Sequence, residues 1–252
     1  MKKIAIVQSN YIPWKGYFDL INLVDEFVLY DDCQYTRRDW RNRNRIKIPD
    51  GLQWLSIPVD VKGKYLQKIC ETEIIDNVWW KKHWQSIKHN YSKAAYYNEI
   101  GPMLSELYGS VREIKKLSRA NYVFLKGICE LVGINTNITF SMDYNVNDCL
   151  DPTENVACFC KKLNATHYIS GPAAKEYIKE VRFEEIGCKV VWMDYSKYTE
   201  YPQLYGDFCH HVSIIDVLMN VGLQGVRKYL VSYNPLFVSE LLEQGVCYEE
   251  CT

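Results

Sequence analysis

The chain lacks the glycine signatures of nucleotide binding. Neither G-x-G-x-x-G nor G-x-x-x-x-G-K-S/T occurs, which argues against dinucleotide or P-loop binding of the usual kind. No apolar run approaches the roughly 18 residues of a membrane span. The start, "MKKIAIVQSNY", holds only a short apolar run before Gln8. That is too short for a signal-peptide core, so a cytoplasmic location is expected. Net charge is only −1. No global field draws in nucleic acid, and DNA is not an expected partner. C-x-x-C is absent, and the ten cysteines are scattered, Cys158 and Cys160 lying closest. They read as reduced thiols, most of them buried, and no metal site is expected.

What is present is aromatic. The 252 residues include 20 Tyr and 7 Trp. That is more amphipathic ring surface than a core requires, and it points to a cleft that stacks on rings or sugars. The apolar fraction, 48%, and the charged fraction, 24%, are those of a globular protein.

Ile4 to Val7 reads as a buried strand, "YFDLINLVDEF" as a helix and "EFVLYDD" as a second strand, together a βαβ unit. "WLSIPVDV" and "ICETEIID" read as further strands. Helices are expected from Trp79 to about Tyr91, over "IGPMLSELYGSV" and over "KLSRANYVFLKGICELVGI", the last closing on Gly133. "NITFSMDY", "THYISG" and "CKVVWMDYS" read as strands. "PTENVACFCKKLNA" reads as a helix with Thr153 at or near its N-cap, and "PAAKEYI" starts a short one. "HVSIIDVLMNVG" reads as an apolar helix closing on Gly222, followed from Gly225 by a less regular tail that can pack as an extra helix. The expected fold is α/β: a parallel-rich, Rossmann-like (nucleotidyltransferase-like) sheet flanked by helices, with a helical insertion in the middle. It is expected to form a single domain over residues 1–252, the insertion spanning 79–133.

Ligands of open α/β sheets bind beyond the carboxyl ends of strands. The first such end is "QSNYIPWKGY", offering Gln8, Tyr11, Trp14, Lys15, Gly16 and Tyr17. Nucleotidyltransferases carry H-x-G-H at this point. Here Trp14-Lys15-Gly16-Tyr17 keeps the glycine and the framing rings and lacks both histidines. The second strand ends in "DDCQYTRRDWRNRNR", with five arginines in nine positions, Arg37 to Arg45. Guanidiniums match phosphate oxygens two at a time. Trp40 and Tyr35 offer ring faces, and Gln34, Asn42 and Asn44 offer amides. The alternative is a solvated basic loop paired with Asp31, Asp32 and Asp39. The size of the cluster, Arg37, Arg38, Arg41, Arg43 and Arg45, fits a diphosphate better than a duplex.

These motifs, with "WLSIPV", "YISGPAAKEYI" and "SIIDVLMNVG", resemble the WbqC-like family in its order, from the N-terminus to about Gly222. The family usually shows Q-P-x-Y at the start, and Ser9 stands here in place of the proline. The resemblance implies a role in O-antigen or other surface-polysaccharide biosynthesis. It implies attachment of glycine or a related acyl group to the amine of a nucleotide-linked amino sugar, of dTDP or UDP type. By motif, the resemblance also marks Ser170, Gly171, Gln203, Asp216 and Asn220. No cofactor is firmly implied; an aminoacyl-tRNA or an ATP-activated acyl donor would supply the acyl group.

Amide formation needs an amine stripped of its proton and a stabilised oxyanion. Candidate bases are His83, Asp31 and Asp32, with His210 or His211 behind them. His83 can equally be a buried structural histidine, and the His210–His211 pair can cap the following helix. Cys33 is a candidate thioester nucleophile if the arginines lower its pKa. Ser170 and Gly171 open a helix and can form an oxyanion site or a plain turn. Asp216 and Asn220 share one helix face and either hold a loop or floor the cleft.

Overall fold

The computed structural model describes residues 1–146 and 151–243. Five strands form one parallel sheet: β1 (Lys3–Val7), β2 (Glu26–Leu29), β5 (Asn137–Phe140), β6 (His167–Ser170) and β7 (Lys189–Trp192). Their spatial order is β5-β2-β1-β6-β7. The chain runs outward from β1 through β2 to β5, then returns to the other side of β1 for β6 and β7. The topological switch therefore lies between β1 and β6, where open sheets hold their ligands. β1 pairs with β2 along Ile4–Val7, but with β6 only at Lys3↔His167 and Ile4↔Tyr168. Paired register with β6 thus ends before the carboxyl end of β1.

Alternate strand residues feed two cores, as a twofold side-chain period requires. Ala5, Phe27, Leu29, Ile169 and Val191 pack in the larger one, with side chains of α1 (Lys15–Asn22), α4 (Leu117–Val132) and α7 (Ile214–Val226). Ile4, Ile6, Val28, Tyr168 and Val190 pack in the smaller one, with α5 (Pro152–Lys162) and α6 (Val181–Glu184). The parallel α/β expectation is borne out. Between the hairpin described below and β5 run α2 (Trp79–Tyr91), α3 (Tyr97–Ser110) and α4. α4 stops at Gly133, whose φ of 81° is left-handed, as the C-cap reading requires.

Several local readings are corrected. The second half of the arginine segment is a strand, β3 (Arg43–Ile48), paired antiparallel with β4 (Gly51–Ser56) in a separate two-stranded sheet. "WLSIPVDV" supplies only the end of β4. "ICETEIID" forms a 3-10 turn at Ile69–Glu71 and isolated bridges. Thr153 lies near the N-cap of α5, and the cap itself is Asp151: its side chain accepts from the Thr153 and Glu154 backbone N–H groups, and Pro152 takes the first helical position. The helical path of α7 breaks at Gly222, at φ 71° and ψ 177°, as the closing-glycine reading expects, and a second short helical stretch continues from it to Val226. A side chain at that glycine would meet the Tyr96 ring. The extra helix expected in the tail is present as α8 (Pro235–Glu243). The seven described cysteines are all free and three of them are buried; Cys149, Cys247 and Cys251 lie outside the described residues.

Asp19 of α1 is fully buried. It accepts from the Tyr198 hydroxyl and, at 2.8 Å, from the Ser232 N–H, tying α1 to two later segments. Burial outweighs these bonds and raises its pKa from 3.8 to about 6. A carboxyl raised in the fold binds its proton more tightly there than in the unfolded chain. Its contribution is therefore favourable at low pH and lost as pH climbs from about 4 to about 6. The loss is roughly 2–3 kcal/mol by linkage. Asp19→Asn is expected to flatten this part of the stability–pH profile, read by urea melts from pH 4 to 7. An unaltered slope would mean that Asp19 is not its source.

Candidate functional site

A cavity of about 440 Å³ opens at the switch between β1 and β6. From the first loop and α1 come Gln8, Trp14 and Tyr17, and from the end of β6 come Ser170 and Gly171. Tyr30, Tyr177 and Tyr195 complete its aromatic wall. Trp14 is the N-cap residue of α1, and its ring meets Tyr195 edge-on at 4.9 Å and Tyr198 at 5.4 Å. Glycine at position 16 makes room for that ring, since a Cβ there would lie 2.4 Å from it. Gly16→Ala is expected to displace the indole and cost about 1–3 kcal/mol through overpacking. A blue- or red-shifted tryptophan emission together with a lower melting temperature would check this; a spectrum and Tm equal to the parent's would refute it.

A second cavity, about 240 Å³, lies against the same indole. Its walls are Asn10, Pro13, Trp14, Trp40, Asn44 and His211. Asn44, buried on β3, donates to the carbonyls of Tyr11 (3.1 Å) and Ile12 (2.8 Å). Ile12 sits at φ 38°, a costly left-handed position for a β-branched residue. Asn44 thus clamps a strained turn between the two cavities.

Arg41 links them. Its guanidinium donates to Gln8 Oε1 and Asn10 Oδ1, one residue from each cavity wall. Asp39 lies 3.5 Å away, the one carboxylate paired with an arginine of this segment among the described residues. Arg37 donates to the Val61 carbonyl and sits over the Tyr65 ring. Arg43 donates to the Arg38 carbonyl and lies 4.2 Å from the Trp54 ring centre. Arg45 lies over both Trp54 (5.2 Å) and Trp40 (5.4 Å). The arginines are therefore held by carbonyls, amides and rings. Asp31 and Asp32 do not pair with them.

The remaining sequence candidates fall elsewhere. Asp31 is fully buried, accepting from the Ser9 N–H (2.8 Å) and the Ser118 hydroxyl. Burial raises its pKa. A proline at position 9 would have no N–H for this bond, so serine there is a change of contact as well as of rigidity. Asp32 accepts from the Ser141 hydroxyl. His83 is buried beside Trp79, with its Nε2 against the Ser56 carbonyl at 3.2 Å. Nε2 therefore carries the proton, and Nδ1 accepts from Tyr11 at 2.8 Å. Tyr108 lies 2.6 Å from the same Tyr11 hydroxyl. Burial depresses the His83 pKa to about 4. Neither His83, Asp31 nor Asp32 lines either cavity. Tyr11, expected to contact ligand, is a core residue.

Lys15 is buried among the Tyr198, Tyr201 and Tyr229 rings and donates to the Thr199 carbonyl at 3.1 Å. Burial lowers its pKa to about 8. Gln34 donates to the Tyr65 carbonyl, the Tyr35 N–H donates to the Gln67 carbonyl, and Asn42 donates to the Ile57 carbonyl. Gln203 and Asp216 hydrogen-bond each other at 2.8 Å, and Asn220 donates to the Asp216 carbonyl. Gln203 and Asp216 anchor a loop, Asn220 bonds only within α7 among the described residues, and none of the three lines either cavity. The Cys33 thiol is pushed up to about 11, burial overriding the arginines, which corrects the expected activation. Ser213, not a histidine, caps α7. His211 instead reaches the second cavity.

Residues 8–228 match the WbqC-like protein family. The chain belongs to that family. It is also 50% identical over 224 residues to "Uncharacterized protein Rv1507c" of Mycobacterium tuberculosis, covering 89% of this chain and 96% of that one. No solved structure matches significantly. Within this WbqC-like chain, Gln8, Trp14, Tyr17, Ser170 and Gly171 meet at the switch-point cavity, while Trp14, Trp40 and Asn44 meet at its neighbour. Asn10, Tyr30, Tyr177 and Tyr195 join these walls without a sequence motif to mark them, and His211, a candidate base by sequence, lines the smaller cavity.

Proposed function

We propose that this WbqC-like chain is a transferase of surface-polysaccharide biosynthesis. It attaches an acyl or aminoacyl group, such as glycyl, to the amine of a nucleotide-linked amino sugar. One observation carries the reading. A ring-lined cavity at the sheet's switch point is joined, through Gln8 and Arg41, to a five-arginine segment with one carboxylate partner among the described residues. Neutral rings and hydroxyls suit a sugar, and guanidiniums suit a diphosphate. The sugar nitrogen attacks the acyl carbonyl, a C–N bond forms, and the donor's oxygen leaves with the bonding electron pair. The ammonium proton passes to a base or to water.

A non-catalytic sugar-nucleotide-binding module is the second reading, favoured by the enclosure of His83 and Asp31. The test is incubation with a dTDP- or UDP-linked amino sugar, glycine and ATP, with and without aminoacyl-tRNA. Product that needs aminoacyl-tRNA supports the transferase with tRNA as carrier. Product coupled to ATP turnover identifies an acyl-adenylate-forming ligase. Sugar-nucleotide binding without product under any donor leaves the module. No binding of either sugar nucleotide defeats all three.

A further inference from the structure

The two cavities differ in charge. No charged side chain lines the switch-point cavity among the described residues. The smaller cavity is walled by two indoles, and a line of cations and rings leaves its rim. Trp40 belongs to the wall, Arg45 lies over Trp40 and Trp54, and Arg43 lies over Trp54. Neither Arg43 nor Arg45 has a carboxylate partner among the described residues, and the Nε of each is buried without a hydrogen bond. Arg41 stands between the cavities, its own Nε likewise unpartnered. A ligand carrying a base, two phosphates and a sugar can lay its base against the paired indoles with its phosphates toward the arginines, and its sugar then falls to the uncharged cavity.

We infer that the Trp14–Trp40 cavity holds the nucleobase of the nucleotide-linked sugar, leaving the sugar to the neutral switch-point cavity. This rests on the sugar-nucleotide reading above and adds to it the orientation of the ligand. A base is flat and stacks on indole faces whatever its identity. Its polar edge needs a few directional groups. Asn10 supplies one: Arg41 holds its Oδ1, which leaves the Nδ2 donors without a partner among the described residues. His211, 6.4 Å from the Trp14 ring centre, supplies another. Asn44 is not available for this, because its amide is held by Tyr11, Ile12 and the Arg45 N–H. The α1 N-terminus behind Trp14 has no side-chain cap and no acidic residue in its first turn. That is compatible with anionic phosphates nearby.

The test compares binding of UDP, dTDP, the matching nucleotide sugars and inorganic pyrophosphate by calorimetry. The parent protein is set beside Trp40→Ala, Trp40→Phe and Tyr177→Ala. Tyr177 lines only the switch-point cavity and is half exposed, so its loss should spare the fold. Trp40→Ala is expected to weaken nucleoside diphosphate binding roughly 10-fold or more, with pyrophosphate binding unaltered. Trp40→Phe should retain most of the affinity, because a ring face remains. Tyr177→Ala should spare the nucleoside diphosphates and weaken only the nucleotide sugars. The inference is overturned if Tyr177→Ala weakens UDP or dTDP while Trp40→Phe and Trp40→Ala do not. In that case the base lies at the switch point, and the proposed function still stands. It is also overturned if both Trp40 variants weaken pyrophosphate as much as the nucleotides. Failure of the parent protein to bind any nucleotide or nucleotide sugar would remove the orientation and the proposed function together.

Discussion

Arg41→Ala is expected to cost roughly 3–5 kcal/mol of stability, from two charge-assisted hydrogen bonds at about 1.5–3 kcal/mol each. The Arg41 side chain is only 12% exposed. Its fork holds Gln8 and Asn10, the residues that carry the chain from β1 toward α1. Its carbonyl accepts from Asn121 of α4 at 2.9 Å, and the same amide donates to the buried Ser9 hydroxyl at 3.0 Å. Alanine would keep those backbone ties and lose the fork. Gln8 and Asn10 would then be free to turn, one at each cavity, and nucleotide-sugar binding should fall with stability. Arg41→Lys tests the geometry. A lysine keeps the charge but cannot reach two acceptors in a fixed plane, so it should recover only part of the loss. Urea melts alongside calorimetric binding decide the matter. Weakened binding with an unchanged melt would mean that Arg41 grips ligand and does not brace the loop.

One-dimensional patterns reach only part of this segment. Local patterns held for β1, α1 and β2, because apolar runs and helical spacing report burial directly. The hairpin is legible in the same way. Asn44, Ile46 and Ile48 alternate with cations, and Pro49-Asp50-Gly51 is a turn signal. Arginine density hid that alternation. The site was legible only in part. Gln8 and Trp14 follow the first strand, and Ser170 and Gly171 end another, so the rule for strand ends finds them. Tyr177 and Tyr195 reach the cavity only because β6 and β7 lie on the far side of β1. Strand order is a tertiary property, and among 20 tyrosines nothing local separates a cavity wall from a core ring. Tyr11 shows the opposite error. It sits amid site residues in sequence, yet the turn at Ile12 goes with its burial against Trp79 and Phe124.

Asp216→Ala should destabilise the chain by roughly 3–5 kcal/mol, because two buried hydroxyls and one partly buried amide lose their acceptor at about 1–3 kcal/mol each. The carboxylate is fully buried at the start of α7. It accepts from Tyr91 at 2.7 Å, Tyr201 at 2.8 Å and Gln203 at 2.8 Å. Tyr91 in turn accepts from the Lys47 N–H of β3 at 3.0 Å, and Gln203 holds the Cys209 backbone from both ends of its amide. One carboxylate thus joins α7, α2, the hairpin and the loop that leads to His211. Burial raises its pKa, which limits the net gain from keeping it charged, so the predicted loss stays below the sum of the three bonds. Asp216→Asn is the sharper probe. It preserves volume but presents an N–H₂ to a hydroxyl or amide that also donates, and it should recover less than half of the alanine loss. Thermal melts of both variants give the stabilities. His211 signals in a proton NMR titration report whether the loop has moved. Melts within about 0.5 kcal/mol of the parent, the range of ordinary surface substitutions, would show that the four elements are held together by packing alone.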